Sequence, residues 1–62
     1  MKRNQLIRHF NNNGCVFKRE GSNHSIFINL ETGKRTAVPR HNEIKDALCN
    51  ELCKQLGIQK IK

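Results

Sequence analysis

The four glycines of this chain divide it into short segments, and that division constrains the fold more than any other feature of the sequence. Gly14 follows three asparagines and suits the left-handed conformation in which many helices end. Gly33 lies in the segment "ETGK" and can supply the positive φ that a tight hairpin turn requires. The glycine spacing therefore predicts short secondary-structure elements joined by turns.

The first and last segments have the apolar spacing of amphipathic helices. The first helix is predicted over residues 3–13, with three apolar side chains on one face: Leu6, Ile7 and Phe10. The second lies in the segment "RHNEIKDALCNELCKQLG", where Asn42 is predicted as the N-cap and Gly57 closes the helix. Its apolar residues recur every four positions, at Ile44, Leu48, Leu52 and Leu56.

Three segments between these helices are predicted as strands, at residues 15–19, 24–30 and 35–38, and Pro39 stops the third. The order α-β-β-β-α predicts an α+β fold in which two helices pack with a three-stranded antiparallel sheet. Sixty-two residues make one domain, residues 1–62, and leave no room for a large cofactor cleft. The alternation of the second strand is not clean, so the sequence leaves open which of its faces is core.

The charge of the chain indicates a polyanionic partner. Twelve Lys and Arg stand against five acids, a formal net charge of +7. Nucleic acid is favoured over an acidic protein or a membrane surface, because this imbalance creates more self-repulsion than solubility requires. The start of the chain is not a secretory signal, and no apolar run approaches the roughly 20 residues of a membrane span. An odd number of cysteines, three, then indicates free thiols in a reducing cytoplasm.

The two hairpins gather polar and cationic residues around His24 at one edge of the sheet. If Thr32 and Gly33 form a two-residue loop, His24 lies opposite His41, whereas a loop one residue longer shifts this pairing by one position and keeps the same neighbours. Cations can bind phosphate oxygens, and an imidazole that titrates near neutrality can accept or donate a proton. The candidate catalytic residue is therefore His24, and the candidate substrate-binding residues are Lys18, Arg19, Ser22, Asn23, Arg40 and His41.

The remaining reactive residues give weaker signals. The five acids are scattered, and a two-metal nuclease needs clustered carboxylates, so we predict neither a metal nor a cofactor. Cys49 and Cys53 are spaced i, i+4, but their setting favours packing over zinc binding. On the apolar stripe predicted from Ile44 to Leu56, Cys49 borders the core and Cys53 lies further round the helix.

The order and spacing of several short motifs resemble those of the HicA-type toxins. These motifs are "NNNGCVFKR", "GSNH", "TGKRTAVPRH" and "EIKDALCNELCKQLGI". The resemblance implies a fold like that of double-stranded-RNA-binding domains and an mRNA-cleaving endoribonuclease whose essential histidine is His24. It also implies a HicB-type antitoxin that covers the active site, and contact with operator DNA only through the toxin–antitoxin complex.

Two other functions stay open from the sequence. A non-catalytic double-stranded-RNA-binding module would share the fold, but such modules have a lysine-rich start to the last helix, where this chain has Glu43 and Asp46. An accessory protein that binds DNA or docks on a partner is the other, although strands separate the two helices and no helix-turn-helix is apparent.

Overall fold

The computed structural model describes residues 1–61 and has the predicted element order α-β-β-β-α. Its elements are α1 (Arg3–Asn12), β1 (Cys15–Glu20), β2 (His24–Asn29), β3 (Arg35–Pro39) and α2 (Asp46–Leu56). The three strands form one antiparallel sheet in the order β1-β2-β3, so β2 is the central strand. Over these 61 residues, neither helix has the length and apolar character needed to cross a membrane.

Both helices pack on the same face of the sheet. Along β2, Ser25, Phe27 and Asn29 are buried, whereas the alternate residues Ile26 and Ile28 are only half-buried. Successive side chains of a strand point to opposite faces, so the covered face carries Phe27 and the other face stays open to solvent. The core combines this phenylalanine with apolar side chains of both helices and of β1 and β3: Leu6, Phe10, Cys15, Val38, Ile44, Cys49, Leu52, Cys53 and Leu56.

The structure settles which face of β2 is core, and it is the face with more polar residues. Ser25 and Asn29 can be buried because both find partners, and the Asn29 amide donates to the Leu56 carbonyl at 2.9 Å. Leu30, predicted to end the second strand, lies just beyond it and is 69% exposed. Hydrogen-bonding capacity at the two ends of β2, with Phe27 between them, therefore decides the orientation of this strand.

The predicted register of the second hairpin is wrong by two residues. His24 pairs with Pro39 instead of His41, because the hairpin is centred between Glu31 and Thr32, one residue earlier than predicted, and the loop between β2 and β3 spans residues 30–34. Asn29 closes this loop by bonding its own N–H to the Lys34 carbonyl at 2.8 Å. The Asn29 side-chain oxygen also accepts a hydrogen bond from the Glu31 N–H at 2.9 Å, which stabilises the longer loop.

The prediction that Asn42 caps the second helix is also wrong. The helix begins at Asp46, and Lys45 occupies the N-cap position without a side-chain capping bond. The preceding backbone instead pairs with the first residues of the chain, as in the bond from the Arg3 N–H to the Asn42 carbonyl at 2.9 Å. This pairing holds the backbone of residues 42–44 against the start of the chain, so the helix cannot start there.

The buried stripe of α2 differs from the one that a repeat of four predicts. At about 100° per residue, the stripe defined by Leu52 and Leu56 also includes Cys49 and Cys53. Cys53 is fully buried, which corrects the prediction that it lies further round, whereas Leu48 is 40% exposed. Cys49 and Cys53 therefore join Leu52 and Leu56 in the core, and only Leu48 departs from the repeat of four.

This stripe can be tested with two matched truncations on α2. Leu52 is 3% exposed, so Leu52→Ala should lower the free energy of unfolding by about 2–5 kcal/mol. Leu48→Ala removes the same atoms from a 40% exposed side chain and should cost less than about 1 kcal/mol. Urea denaturation followed by circular dichroism measures both values, and equal losses would contradict the placement of the stripe.

Candidate active site

The turn between β1 and β2 brings His24 to the end of the central strand. Glu20 is the last residue of β1, and the Gly21 N–H donates to the His24 carbonyl at 2.7 Å, which leaves Ser22 and Asn23 at the tip. A Cβ built on Gly21 would lie 3.2 Å from that carbonyl oxygen, closer than most side chains tolerate. The glycine is therefore needed for the close approach of the two strands at this turn.

His24 is exposed and shares the open face of the sheet with Ile26 and Ile28. Within residues 1–61, no hydrogen bond to its imidazole is found, so both ring nitrogens are available to a ligand. Three surface clefts are lined by residues 1–4, 42–46, 49–50 and 61, and His24 borders none of them. The candidate site is thus a surface that a long polymer can reach without entering a pocket.

Arg40 follows β3 and spans the turn that carries His24. Its Nε and Nη2 donate to the Glu20 Oε1 atom at 3.0 and 2.6 Å. Nη2 also donates to the Gly21 carbonyl at 2.8 Å, and Nη1 donates to the Ser22 carbonyl at 3.3 Å. One guanidinium therefore binds the last side chain of β1 and two backbone carbonyls of the turn.

The carboxylate of Glu20 connects this turn to α1. The Ser25 hydroxyl donates to its oxygens at 3.1 and 3.3 Å, and the same hydroxyl accepts from the Arg3 Nη2 atom at 2.9 Å. Arg3 also donates from Nε to the Pro39 carbonyl at 2.9 Å. Hydrogen bonds from Arg40 lower the pKa of Glu20; burial opposes this shift, and Ser25 and the charge of Arg3 reinforce it.

The structure brings together part of the predicted site. Lys18, Arg19, Ser22 and Asn23 are exposed at the end of β1 and on the turn, close in sequence and space to His24. Arg19 pairs with Ile26 across a bulge in β1, which places it on the same sheet face as His24. His41 is exposed, but it lies two residues beyond the partner of His24 and not opposite it.

Sequence reasoning missed Glu20, Ser25 and Arg3. Glu20 is the acid between the cations of "KR" and the "GSNH" turn, and that isolated negative charge was the available signal. Ser25 gave no signal beyond its place in an apolar strand. Arg3 gave none, because its contacts join residues 22 and 36 positions apart in the chain.

The cysteines do not contribute to this surface. All three thiols are free and buried in the core, and burial raises the pKa of Cys15, Cys49 and Cys53. A raised pKa leaves less thiolate, which is the nucleophilic and metal-binding form. Among the described residues, no group of three or more His, Cys, Asp or Glu side chains is arranged to hold a metal ion.

The lowered pKa of Glu20 predicts an acid-sensitive stability. A carboxyl whose folded-state pKa is depressed stabilises the fold above its unfolded-state pKa, about 4.3, and this stabilisation is lost as the pH falls through the folded-state value. Glu20→Gln should therefore reduce the fall in unfolding free energy between about pH 6 and pH 2. Glu51→Gln, at an exposed position on α2, is the control, and identical pH profiles for wild type and Glu20→Gln would refute the assignment.

Comparison with known protein families assigns most of the chain to one family. A family model described as the HicA toxin of bacterial toxin–antitoxin systems matches residues 3–58, which include all five secondary-structure elements and His24. Searches among curated proteins and among solved structures found no match. Because the family model covers most of the chain, this protein belongs to the HicA family of toxins from bacterial toxin–antitoxin systems.

Proposed function

We propose that this toxin is a metal-independent endoribonuclease that cleaves mRNA and uses His24 in general acid–base catalysis. The observation that carries the proposal is the placement of His24 beside a cationic turn, as an exposed imidazole that bonds to no other group of residues 1–61. An imidazole used only for structure is expected to bond to the protein, as His9 does to the Gln59 carbonyl at 2.8 Å. His24 is free to meet a substrate.

The charges around His24 favour a phosphodiester substrate. Lys18 and Arg19 are exposed next to the turn, and Arg35 pairs with Ile28 further along the open face. Cations arranged along one face can follow a nucleic-acid backbone, and the formal charge of +7 supports binding that weakens with salt. Ser22 and Asn23 add hydrogen-bonding groups at the tip of the turn.

The chemistry that suits this arrangement uses the nucleophile of RNA itself. His24 accepts the proton of a 2′-hydroxyl while that oxygen forms a bond to the adjacent phosphorus and the bond to the 5′-oxygen breaks. A proton then goes to the departing 5′-oxygen, delivered by the protonated His24 or by His41. The products are a 2′,3′-cyclic phosphate and a 5′-hydroxyl, and such proton transfer accelerates cleavage by about 10²–10⁴-fold.

The surroundings of α2 argue against the non-catalytic alternative. A double-stranded-RNA-binding module presents cations at the start of its last helix, whereas Glu43 and Asp46 are exposed there in this protein. Both carboxylates pair with the Met1 ammonium, at 2.9 and 3.3 Å, so Lys45 is the one side-chain cation of residues 43–46. The catalytic function therefore accounts for the cationic turn without requiring an RNA contact from α2.

The family implies an antitoxin partner, which we propose is a HicB-type protein in the cytoplasm that covers His24 in the resting complex. An acidic partner suits the cationic surface, and electrostatic steering makes its association sensitive to salt. Operator DNA is then bound only through the antitoxin in that complex. The toxin therefore carries the nuclease activity, and the antitoxin blocks it by covering His24.

Substitution of His24 tests the proposed function directly. His24→Ala should fold normally and cleave a labelled mRNA about 10²–10⁴-fold more slowly than the wild type. Cleavage should continue in EDTA, and one 2′-deoxynucleotide at the cleaved position should block it. His9→Ala is the matched control on α1 and should cleave at the wild-type rate.

Full activity of His24→Ala, or loss of wild-type activity in EDTA, would refute the proposed mechanism. Retardation of the RNA by wild-type protein without any shortening would favour the binding module instead.

A further inference from the structure

Arg40 has almost no hydrogen-bonding capacity left for a substrate. A guanidinium has five N–H donors. Four of them are used within the protein: two bonds to Glu20, one to the Gly21 carbonyl and one to the Ser22 carbonyl. The His24 carbonyl is a further, longer contact at 3.4 Å. Arg40 therefore cannot offer the paired donors with which arginine usually grips a phosphate.

The charge of Arg40 is also compensated. Its ion pair with Glu20 is 2.6 Å long, and the same carboxylate is close to Arg3 through the Ser25 hydroxyl. A phosphate that approached this guanidinium would have to compete with a carboxylate already in contact. Among residues 1–61, Lys18, Arg19 and Arg35 form no ion pair, so these cations are better placed than Arg40 to meet a phosphate.

The partners of Arg40 are the groups that define the turn. Glu20 precedes it, Gly21 and Ser22 form its first half, and His24 ends it. The carbonyls of Gly21 and Ser22 lie in the connection between the two strands, residues 21–23, so a side chain that binds both of them restricts the turn. The link from Glu20 through Ser25 to Arg3 then anchors this restrained turn to α1 and, through Pro39, to β3.

From these contacts we propose that Arg40 and Glu20 are positioning residues, which form a clamp that holds the turn so that His24 stays aligned with the RNA. This inference rests on the proposed nuclease function, and it assigns Arg40 a role different from the phosphate contact predicted from its charge. Alignment matters because a misplacement of about 1 Å can slow an enzyme roughly 10²-fold. The clamp acts through the backbone of residues 20–24 and touches neither the substrate nor the reacting atoms.

Glu20→Gln separates the two roles, because they predict opposite effects on RNA cleavage. If the clamp positions His24, cleavage at saturating RNA should slow about 10–100-fold, while the RNA concentration for half-maximal rate stays equal or falls, since a negative charge is removed. If Arg40 instead binds phosphate, releasing it from Glu20 should tighten RNA binding without slowing cleavage. That second result would overturn the proposal.

Variants of Arg40 complete the kinetic test. Arg40→Gln should slow saturated cleavage as much as Glu20→Gln does, and the double variant should be no slower than either single one, because both break the same clamp. Arg40→Lys keeps the ion pair but loses carbonyl bonds, so it should recover part of the rate. Arg8→Gln, an exposed arginine on α1, controls for the loss of one charge and should leave the saturated rate unchanged. Additive losses in the double variant would contradict a shared role.

Hydrogen exchange provides a readout independent of activity. In both clamp variants, the Gly21 amide, which bonds to the His24 carbonyl, should exchange at least about tenfold faster while the Phe27 amide in the sheet stays protected. If the Gly21 amide exchanges at the wild-type rate in both variants, the proposed clamp is refuted, whatever the rates of RNA cleavage are. If His24→Ala cleaves normally, the proposed function fails, and faster exchange at Gly21 would then support only the structural part of the inference.

Discussion

The packing of Phe27 on the helices decides how the rest of the molecule is arranged. This side chain lies at the middle of the central strand, with its ring centroid 5.6 Å from that of Phe10 and 6.0 Å from that of Phe17. Its burial selects one face of the sheet as core. Strand alternation then places alternate side chains of β2 on the core face and the remaining ones on the opposite face. His24 falls on the opposite face by the same alternation, so the core contact that stabilises the fold also exposes the candidate catalytic residue.

A chain of 62 residues can cover only one face of its sheet, and this limit leaves room for a site. Both helices are used on the Phe27 face, so Ile26 and Ile28 remain half-buried on the other. The open face therefore offers apolar surface next to cations, which suits both the bases and the phosphates of RNA. In this protein the candidate site is the part of the sheet that its helices do not cover.

The sequence predicted the elements well and their relative placement less well. Glycine turns and apolar spacing fixed the order α-β-β-β-α, because these signals are local. The register of the second hairpin was wrong because it depends on how the Asn29 side chain bonds within its loop. The start of α2 was wrong because the first residues of the chain pair with residues 42–44, a contact with no local signal.

The candidate site shows the same division between local and distant information. His24 and its cationic neighbours were found because they are consecutive in the chain, and the "GSNH" motif marks a turn by itself. The network of Arg3, Glu20 and Arg40 was not found, because its members come from α1, β1 and the segment after β3. A pattern of charge along one sequence cannot distinguish a cation that faces solvent from one that is already paired.

The position of Glu20 illustrates why this distinction matters for a protein of this kind. A carboxylate beside the turn proposed to bind phosphate weakens the attraction of that turn for RNA, so on electrostatics alone the candidate site would be better without it. Its contacts give a reason for it, since Glu20 binds one guanidinium directly and reaches a second through Ser25. Without this carboxylate, Arg3 and Arg40 would repel each other around the turn that carries His24. Glu20 thus weakens the attraction for the proposed RNA substrate, but it fixes the position of His24, the residue proposed to move the proton.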